Sequence, residues 1–351
     1  MKIGLLTFHD TTNFGSWLQT YGLYKKIQQL GYDVEIINYK CEGIEYREKL
    51  NSERICTLPI EDICVQFRKQ IVFKYYLYRY MKLSRKYTKS TIQKVNGKYN
   101  LFLLGSDLVW DLNITYGDTT YLFDFLNEHE PRCAYAASSG RDYILESQRK
   151  LFCKNLKSFK YITVRESGMQ TDIEDLYKHI VPWVCDPTLL LKQDEWKKFL
   201  NNKKRKEKYV LLYFIDGKGN LSRLAKKYAR IHGYKLIAIN KDFNIRRENM
   251  VAPISVRDFL TLIYYSEKIF TASYHGMLFS LIFNKQFAFY PFEPSTRMLS
   301  VAKMLGIQDQ NITSNYFNPE VEIDYEIVNQ KLDEFRNDSL NYLKKMLDYA
   351  L

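Results

Sequence analysis

The 351-residue sequence has no long hydrophobic run, no cluster of metal-type ligands and only five histidines. No window comes near the roughly eighteen consecutive apolar residues of a membrane-spanning helix, so none is expected. The opening segment, MKIGLLTFHD, lacks the pattern of a cleavable signal peptide and predicts a β-strand, which favours a cytoplasmic protein. The six cysteines show neither a CxxC pair nor metal-ligand spacing, which predicts reduced thiols without a structural disulfide or zinc site.

The net charge of +12 bears on the partners of the chain rather than on its fold. Nucleic acid, an anionic membrane surface and anionic small substrates would all suit a basic protein. Zinc-finger spacing, an RNP1-like motif and a basic helical zipper are all missing, so nucleic acid is not expected. Anionic substrates and an anionic surface remain open as partners.

The length and the hydrophobic content of 46% predict two folded domains rather than one. A strand over residues 2–8, a helix over about 15–30 and the strand GYDVEIINY form a β-α-β unit of the parallel, doubly wound type. The second half repeats this rhythm. We therefore predict an α/β protein with two Rossmann-like domains facing a cleft. The predicted bounds are 1–200, 209–320 and a closing C-terminal helix within 321–351, with the charged segment 201–208 as the connection.

The segment from about residue 60 to 90 predicts an unusual helical insertion. Its central part, QFRKQIVFKYYLYRYMKLSRKYTKS, interleaves aromatic residues with eight basic residues and contains no acidic one. In one interpretation the aromatic side chains pack inward while the Lys and Arg stems extend along the surface. In the other, a basic aromatic face binds an anionic membrane or glycan.

Small and polar residues follow several predicted strands, and open parallel sheets bind ligands beyond the carboxyl ends of their strands. GKGN, before a helix, offers backbone amides and the charge of Lys218 to an anion, although a plain tight turn fits equally well. The candidates for substrate binding at these strand ends are Asn13, Gly15, Ser16, Ser106, Asp107, Ser139, Lys218, Ser273 and Gly276.

Three further residues are candidates for catalysis. Arg165 follows an apolar strand, where its guanidinium could hold a carboxylate or phosphate or could form an internal ion pair with Glu166 or another acid. His275 follows the strand IFTAS and precedes Gly276, so it suits proton transfer, or else it caps a turn as a buried histidine. Lys285 stands between a helix and the next strand, and we expect it near the same sheet edge as His275.

Several blocks of the sequence resemble the polysaccharide pyruvyl transferase family. They are the opening MKIGLLTFHDTTNFGSWLQTYGLYKKIQQLGYDVEIINY, LLGSDLVW, YAASSG, TVRESG, VCDPTLLL, SYHGMLFSLIFNKQF and RMLSVAKMLGI, and they span about residues 1–308. The resemblance implies a fold similar to the GT-B glycosyltransferases. It also implies a bacterial surface polysaccharide enzyme that moves pyruvate from phosphoenolpyruvate onto two hydroxyls of a sugar as a ketal, with loss of phosphate. The acceptor could be lipid-linked, and contact with the inner membrane face is conceivable from the charge.

The resemblance places Arg165, His275 and Lys285 at family motif positions. It implies that Arg165 and Lys285 hold the phosphoenolpyruvate anion and that His275 transfers a proton, with no metal or other cofactor required. The sequence departs from the family at Ala272, where an acidic residue is frequent. A GT-B-type glycosyltransferase that uses a nucleotide sugar, or a glycan-binding member with altered catalysis, therefore stays as an alternative.

Overall fold

The computed structural model describes residues 1–201, 206–214, 219–240, 250–291 and 296–349. The chain divides into two compact units. Unit 1 comprises Met1–Asn51, Gln70–Leu191 and Glu334–Leu351, and unit 2 comprises Ser52–Lys69 and Lys192–Asp333.

Unit 1 is built on a five-stranded parallel sheet in the order β2-β1-β3-β4-β5. The inner strands are buried along almost their whole length, as expected for a parallel sheet covered by helices on both faces. The strand order reverses between β1 and β3, which makes the carboxyl ends of these two strands a topological switch point. The strands are β1 Lys2–Leu6, β2 Asp33–Ile36, β3 Leu101–Leu104, β4 Arg132–Ala137 and β5 Tyr161–Val164.

Unit 2 is built on a second five-stranded parallel sheet, in the order β10-β9-β6-β7-β8. The central strand of this sheet, β6, pairs with β9 from Val210 with Lys268 to Tyr213 with Thr271. The strand order reverses between them, so their carboxyl ends form the switch point of unit 2. The strands are β6 Tyr209–Phe214, β7 Lys235–Asn240, β8 Met250–Val251, β9 Lys268–Thr271 and β10 Gln286–Phe289.

Helices connect the strands in both units, and short 3-10 helices lie at Ile92–Val95, Thr119–Leu122, Pro187–Leu190 and Gln308–Gln310. None of the helices in the described ranges combines the length and the apolar character that crossing a bilayer needs. The α-helices are α1 Phe14–Gln29, α2 Glu42–Glu48, α3 Ser52–Thr57, α4 Ile60–Tyr80, α5 Glu146–Leu156, α6 Met169–Tyr177, α7 Gln193–Lys197, α8 Gly219–Ile231, α9 Val256–Tyr264, α10 Tyr274–Ile282, α11 Arg297–Leu305 and α12 Tyr325–Asp348.

The predicted α/β class, with two parallel-sheet units and a C-terminal helix, is confirmed. The units divide at Lys192, earlier than the predicted connection at 201–208. The reason is the side chain of Trp196 in α7, which is fully buried and contacts the ring of Phe279 in unit 2 at a centroid distance of 5.1 Å. Residues 52–69 also group with unit 2, whereas the sequence placed them in the first domain.

The predicted insertion forms the long helix α4, and its large apolar residues divide between two faces. Phe73 and Leu77 are buried, whereas Tyr75 and Tyr78 are 62% and 59% exposed. Inward packing, the first interpretation of this segment, therefore does not account for the exposed rings of Tyr75 and Tyr78.

Candidate functional site

A buried polar network links the switch point of unit 1 to the start of α1. The Thr7 hydroxyl, just after β1, donates to the Ser106 carbonyl oxygen at 2.9 Å. The Gln19 side-chain amide of α1 in turn donates to the Thr7 Oγ1 at 3.1 Å. All three residues are fully buried. The network therefore fixes the loop that follows β3 against β1 and α1.

Ser106 and Asp107 present polar atoms at this switch point. Asp107 has a φ angle of 77°, a left-handed conformation that is uncommon for a residue other than glycine. Its Oδ1 accepts a hydrogen bond from the Leu108 amide at 2.9 Å. Among the described residues, neither Asp107 Oδ2 nor Ser106 Oγ has a hydrogen-bond partner, although both atoms are buried. Such atoms are costly unless a ligand or water satisfies them, so they are suited to bind hydroxyl groups.

Asn13, Gly15 and Ser16 serve the beginning of α1. The Asn13 Oδ1 accepts hydrogen bonds from the Gly15 and Ser16 amides, at 2.9 and 3.4 Å. This is the usual N-cap arrangement, and it uses the amide hydrogens that the sequence assigned to substrate. The structure therefore makes these three residues a support for the loop rather than a set of donors directed at a ligand.

Ser139, predicted to bind substrate, holds its own loop together instead. Its Oγ lies 3.2 Å from the Arg141 carbonyl oxygen and accepts from the Arg141 amide at 3.3 Å. The side chain is buried. The hydroxyl therefore fixes the turn that follows β4.

Arg165 lies at the end of β5 in a buried ion-pair network. One guanidinium nitrogen, Nη1, donates to Asp186 Oδ2 at 3.0 Å, and Nη2 donates to the Ser138 hydroxyl oxygen at 3.0 Å. The Arg165 Nε lies 3.5 Å from Glu166 Oε1, which also accepts from the Ser138 hydroxyl at 2.7 Å. The Arg165 side chain is only 1% exposed and both carboxylates are fully buried. Of the two roles left open for Arg165, this geometry favours the internal ion pair.

A further polar cluster follows β1, in a loop that the sequence marked as a possible ligand site by its place after a strand, without a role for His9 or Asp10. Burial alone would raise the pKa of the Asp10 carboxyl, but the hydrogen bond and charge of Lys40 and the charge of Lys49 lower it to about 2. Beside it, the His9 Nδ1 lies 3.1 Å from the Thr7 carbonyl oxygen and its Nε2 lies 3.3 Å from the Asn38 side chain. Each ring nitrogen therefore faces an oxygen acceptor, the Thr7 carbonyl and Asn38 Oδ1, and in the neutral ring the one nitrogen that carries a proton donates to one of them. Only the position of this loop after a strand could have indicated the cluster.

We expect His9 to make unit 1 sensitive to mild acid. Burial lowers the pKa of His9 below 6.5, against the opposing charge of Asp10, so the folded state favours the neutral ring. Its contribution to stability is therefore complete above about pH 6.5 and is lost as the pH falls further. Between pH 7.5 and 5.5 the melting temperature should fall by a few degrees more in the wild type than in His9→Gln, measured by calorimetry. Equal falls in both proteins would exclude His9 as the cause.

In unit 2, His275 lies in the first turn of α10, directly beyond the carboxyl end of β9. The sequence predicted a turn here, but the Ser273 side chain caps the helix by accepting from the Gly276 amide at 3.3 Å, so α10 begins at Tyr274. Any side chain at Gly276 would meet Thr271 Oγ1, because an added Cβ would lie 2.4 Å from it. Ser273 and Gly276 thus set the position of His275, which is itself partly exposed. The beginning of a helix also favours a bound anion.

Arg297 brings a positive charge to the neighbourhood of His275. It is the first residue of α11, which follows the carboxyl end of β10. Its guanidinium lies over the ring of Tyr274, 5.1 Å from the centroid. Tyr274 directly precedes His275, and its ring lies 5.7 Å from the imidazole. Arg297 opens the block RMLSVAKMLGI, which resembles the family, but the sequence indicated no role for this arginine.

Lys285 does not share the sheet edge of His275, so this prediction was wrong. It directly precedes β10, in which Gln286 pairs with Lys268 and Phe289 pairs with Thr271. Lys285 therefore lies at the amino edge of the sheet, whereas His275 lies beyond the carboxyl edge. The two edges are separated by the length of four-residue strands, about 13 Å. Burial lowers the pKa of the Lys285 ammonium, and only the charge of Glu267 opposes that effect.

Lys218, predicted as part of an anion cradle before α8, lies outside the described residues. The fold and the remaining groups define an α/β protein of two parallel sheets. In each unit, polar residues collect beyond the carboxyl ends of the strands where the strand order reverses.

The family model of the polysaccharide pyruvyl transferases matches residues 13–291, which is more than half of the chain. The chain belongs to the polysaccharide pyruvyl transferase family, as its sequence blocks indicated. No curated protein is significantly similar to it.

Several solved structures resemble the chain weakly. The S. aureus MnaA-UDP co-structure is 14% identical and has a TM-score of 0.49, with 97% of this chain and 89% of that chain covered. The UDP-GlcNAc 2-epimerase of Methanocaldococcus jannaschii, in complex with UDP-GlcNAc and UDP, is also 14% identical with a TM-score of 0.49, and 99% and 100% are covered. The Streptomyces glycosyltransferase SsfS6 is 11% identical with a TM-score of 0.42, and 97% and 96% are covered. At these scores the similarity supports no conclusion about function.

Proposed function

We propose that the protein transfers pyruvate from phosphoenolpyruvate to two hydroxyls of a sugar, which belongs to a surface polysaccharide or its precursor. The product is a cyclic ketal, and inorganic phosphate is released. Membership in the family supports the transferase class. The assignment of the donor rests on the position of His275 in the first turn of α10. His275 lies beside the ring of Tyr274, and the Arg297 guanidinium lies over that ring.

The proposed reaction requires one proton at carbon and one on the leaving group. An acid protonates C3 of phosphoenolpyruvate, which converts the methylene to a methyl group and develops positive charge at C2. The first sugar hydroxyl attacks C2 and loses its proton to a base. The bond between C2 and the phosphate oxygen then breaks, and the second hydroxyl closes the ketal and loses its proton. Of the two protons lost by the hydroxyls, one replaces the proton spent at C3 and the other leaves on the phosphate.

The residues of unit 2 suit the donor half of this chemistry. A histidine can both give a proton to C3 and take one back near neutral pH, so His275 is the proposed acid and base. The beginning of α10 and the Arg297 guanidinium offer positive charge to the carboxylate or phosphate of the donor. Arg297 takes the role that the family resemblance implies for Lys285. We propose Arg165 as a support of its loop, because its guanidinium already bonds Asp186 and Ser138.

The residues of unit 1 suit the acceptor half. Sugar hydroxyls both donate and accept hydrogen bonds, and the Ser106 hydroxyl and the Asp107 carboxylate can pair with them. Because Oδ1 is fixed by the Leu108 amide, the carboxylate is held in one orientation.

The experiment follows phosphate release from phosphoenolpyruvate while the purified protein is incubated with a panel of free and lipid-linked oligosaccharides. The expected result is stoichiometric phosphate and a mass gain of the acceptor that corresponds to one pyruvate ketal. A panel of nucleotide sugars is run in parallel. Transfer of a sugar from one of them, with no phosphate released from phosphoenolpyruvate, would overturn the proposal.

We expect Arg297→Gln to weaken the use of phosphoenolpyruvate. A charge-assisted hydrogen bond contributes about 1.5–3 kcal/mol, so kcat/KM for the donor should fall about 10- to 100-fold. Arg297→Lys should recover part of this loss because it keeps the charge but not the planar fork. The control is Arg230→Gln, an exposed arginine at the end of α8, which should leave the steady-state constants unchanged. Wild-type kcat/KM in Arg297→Gln would exclude Arg297 from the donor site.

A further inference from the structure

The outer face of α4 carries a stripe of large apolar residues. We define this outer stripe as Ile60, Cys64, Phe67, Ile71, Tyr75 and Tyr78. Their spacing of three and four residues places them along one side of the helix. Phe67, Ile71, Tyr75 and Tyr78 are 57%, 54%, 62% and 59% exposed, and Ile60 is 79% exposed. Consecutive turns therefore present apolar side chains to solvent over a length of about 27 Å.

The folded core does not need this stripe, because the opposite face of α4 already supplies the packing. Phe73 and Leu77 are buried there, and the ring of Phe73 lies 5.5 Å from that of Phe14 in α1. Tyr76 and Tyr80 each lie 6.2 Å from the Trp17 ring of α1. An ordinary surface helix has one apolar face, and α4 has two. A contiguous exposed apolar patch of this kind indicates an interaction surface.

Beyond the first turn of α4, which contains Glu61 and Asp62, the charges that flank the stripe are basic. Between Asp62 and Asp107 the sequence has ten Lys and Arg residues and no Asp or Glu. On and just after α4, the exposed members of this group are Arg68, Lys74, Arg79, Lys82, Arg85 and Lys86. Lys82 pairs with Asp33 at 3.2 Å, and both side chains are more than half exposed. Because such an exposed ion pair is weak, Lys82 can exchange Asp33 for another anion. The partner of this face must therefore combine negative charge with an apolar interior.

We infer that the outer stripe and its flanking basic residues dock the protein on an anionic lipid bilayer. A helix with a Lys- and Arg-rich border lies in the plane of the interface, with its apolar side chains below the headgroups. Tyrosines such as Tyr75 and Tyr78 suit the headgroup level, because the ring is apolar and the hydroxyl is polar. The straight stripe and its aliphatic members Ile60 and Ile71 fit a planar lipid surface better than a hydrated acidic glycan. No residue of the proposed catalytic chemistry belongs to this face, so the inference stands apart from the proposed function.

The first test measures how the full chain sediments with lipid vesicles. Vesicles of phosphatidylcholine alone are compared with vesicles that contain one-quarter phosphatidylglycerol, at low and at high salt. We expect binding to the anionic vesicles, at least tenfold weaker binding to the neutral ones, and a loss of binding as salt rises. Equal binding to both vesicles, or binding to neither, would overturn the inference.

Two variants separate the apolar and the charged contributions, and each has a matched control. Ile71→Ser/Tyr75→Ser/Tyr78→Ser should lower the partition coefficient at least tenfold, whereas the same changes at the exposed Ile231, Tyr316 and Tyr342 should not.

The charge variant Lys74→Gln/Arg79→Gln/Lys82→Gln should lower the partition coefficient about 100-fold, or about fivefold for each basic residue. Its control changes Lys154, Lys157 and Lys160, which line a surface groove of about 710 Å³ on unit 1, to Gln and removes the same charge. Binding that falls equally in a variant and its control would contradict a specific docking face.

A probe on the stripe reports the contact directly. Cys56 and Cys64 are the exposed cysteines, so an environment-sensitive fluorophore can be placed on Cys64 in a Cys56→Ser background. Anionic vesicles should shift its emission to the blue, while a soluble polyuronate of the same charge should not. A blue shift with the polyuronate alone would show that the partner of this face is an acidic glycan and not a bilayer. A dimer that dissociates in the stripe variant, with no vesicle binding by the wild type, would assign the face to self-association instead.

Discussion

His275→Asn is expected to lower the rate of phosphate release from phosphoenolpyruvate about 10²- to 10⁴-fold, the range over which a positioned acid or base accelerates proton transfer. The residue lies in the first turn of α10, beyond the carboxyl end of β9, which is the edge at which open parallel sheets bind ligands, and its Nε2 is buried there. Asparagine has a similar size but cannot give a proton to carbon. The measurement is the single-turnover rate at saturating donor, which separates the chemical step from binding.

The fold of the variant should be intact, because Ser273 and Gly276 set the beginning of α10 without help from the imidazole. An unchanged melting temperature checks this point. The matched control is His232→Asn, since His232 lies in the same unit and is 3.2 Å from a Glu320 carboxylate oxygen at the surface. That control should turn over like the wild type. A turnover within threefold of the wild type in His275→Asn would remove His275 from the mechanism.

The strands, the parallel sheets and the place of His275 could be read from the sequence, because apolar runs followed by small or polar residues mark the carboxyl ends of buried strands. The error at Lys285 came from the path of the chain. In a parallel β-α-β connection the helix returns the chain to the amino edge, so a residue that opens the next strand lies opposite the residue that closed the previous one. By the same reasoning, Arg297 is the better candidate for a cation near His275, because it follows the carboxyl end of β10.

Other features depend on contacts that no sequence pattern specifies. The sequence left Arg165 between a ligand and an ion pair, and the approach of Asp186, from 21 residues away, favours the ion pair. The atoms of Ser106 and Asp107 that have no partner in the described residues also emerge only once the loop is folded. For α4, periodicity could not choose which aromatic residues face inward, because both faces of the helix are apolar.

Arg165→Met is expected to destabilise unit 1 rather than merely to weaken substrate binding. The guanidinium compensates two fully buried carboxylates, Glu166 and Asp186. Removing one partner of a buried ion pair typically costs about 3–5 kcal/mol, because the remaining charge is left without compensation. In a domain of this size, such a loss should lower the melting temperature by about 10 °C or more, measured by calorimetry.

The combined variant Arg165→Met/Glu166→Gln/Asp186→Asn tests the cause. It removes the buried charges together with the guanidinium, so its melting temperature should recover most of the loss. The control is Lys178→Met, because Lys178 pairs with Asp175 at the surface of the same unit and its loss should cost less than about 1 kcal/mol. If Arg165→Met instead keeps the wild-type melting temperature while the KM for phosphoenolpyruvate rises at least tenfold, the guanidinium must reach the donor. The role implied by the family resemblance would then replace the structural one.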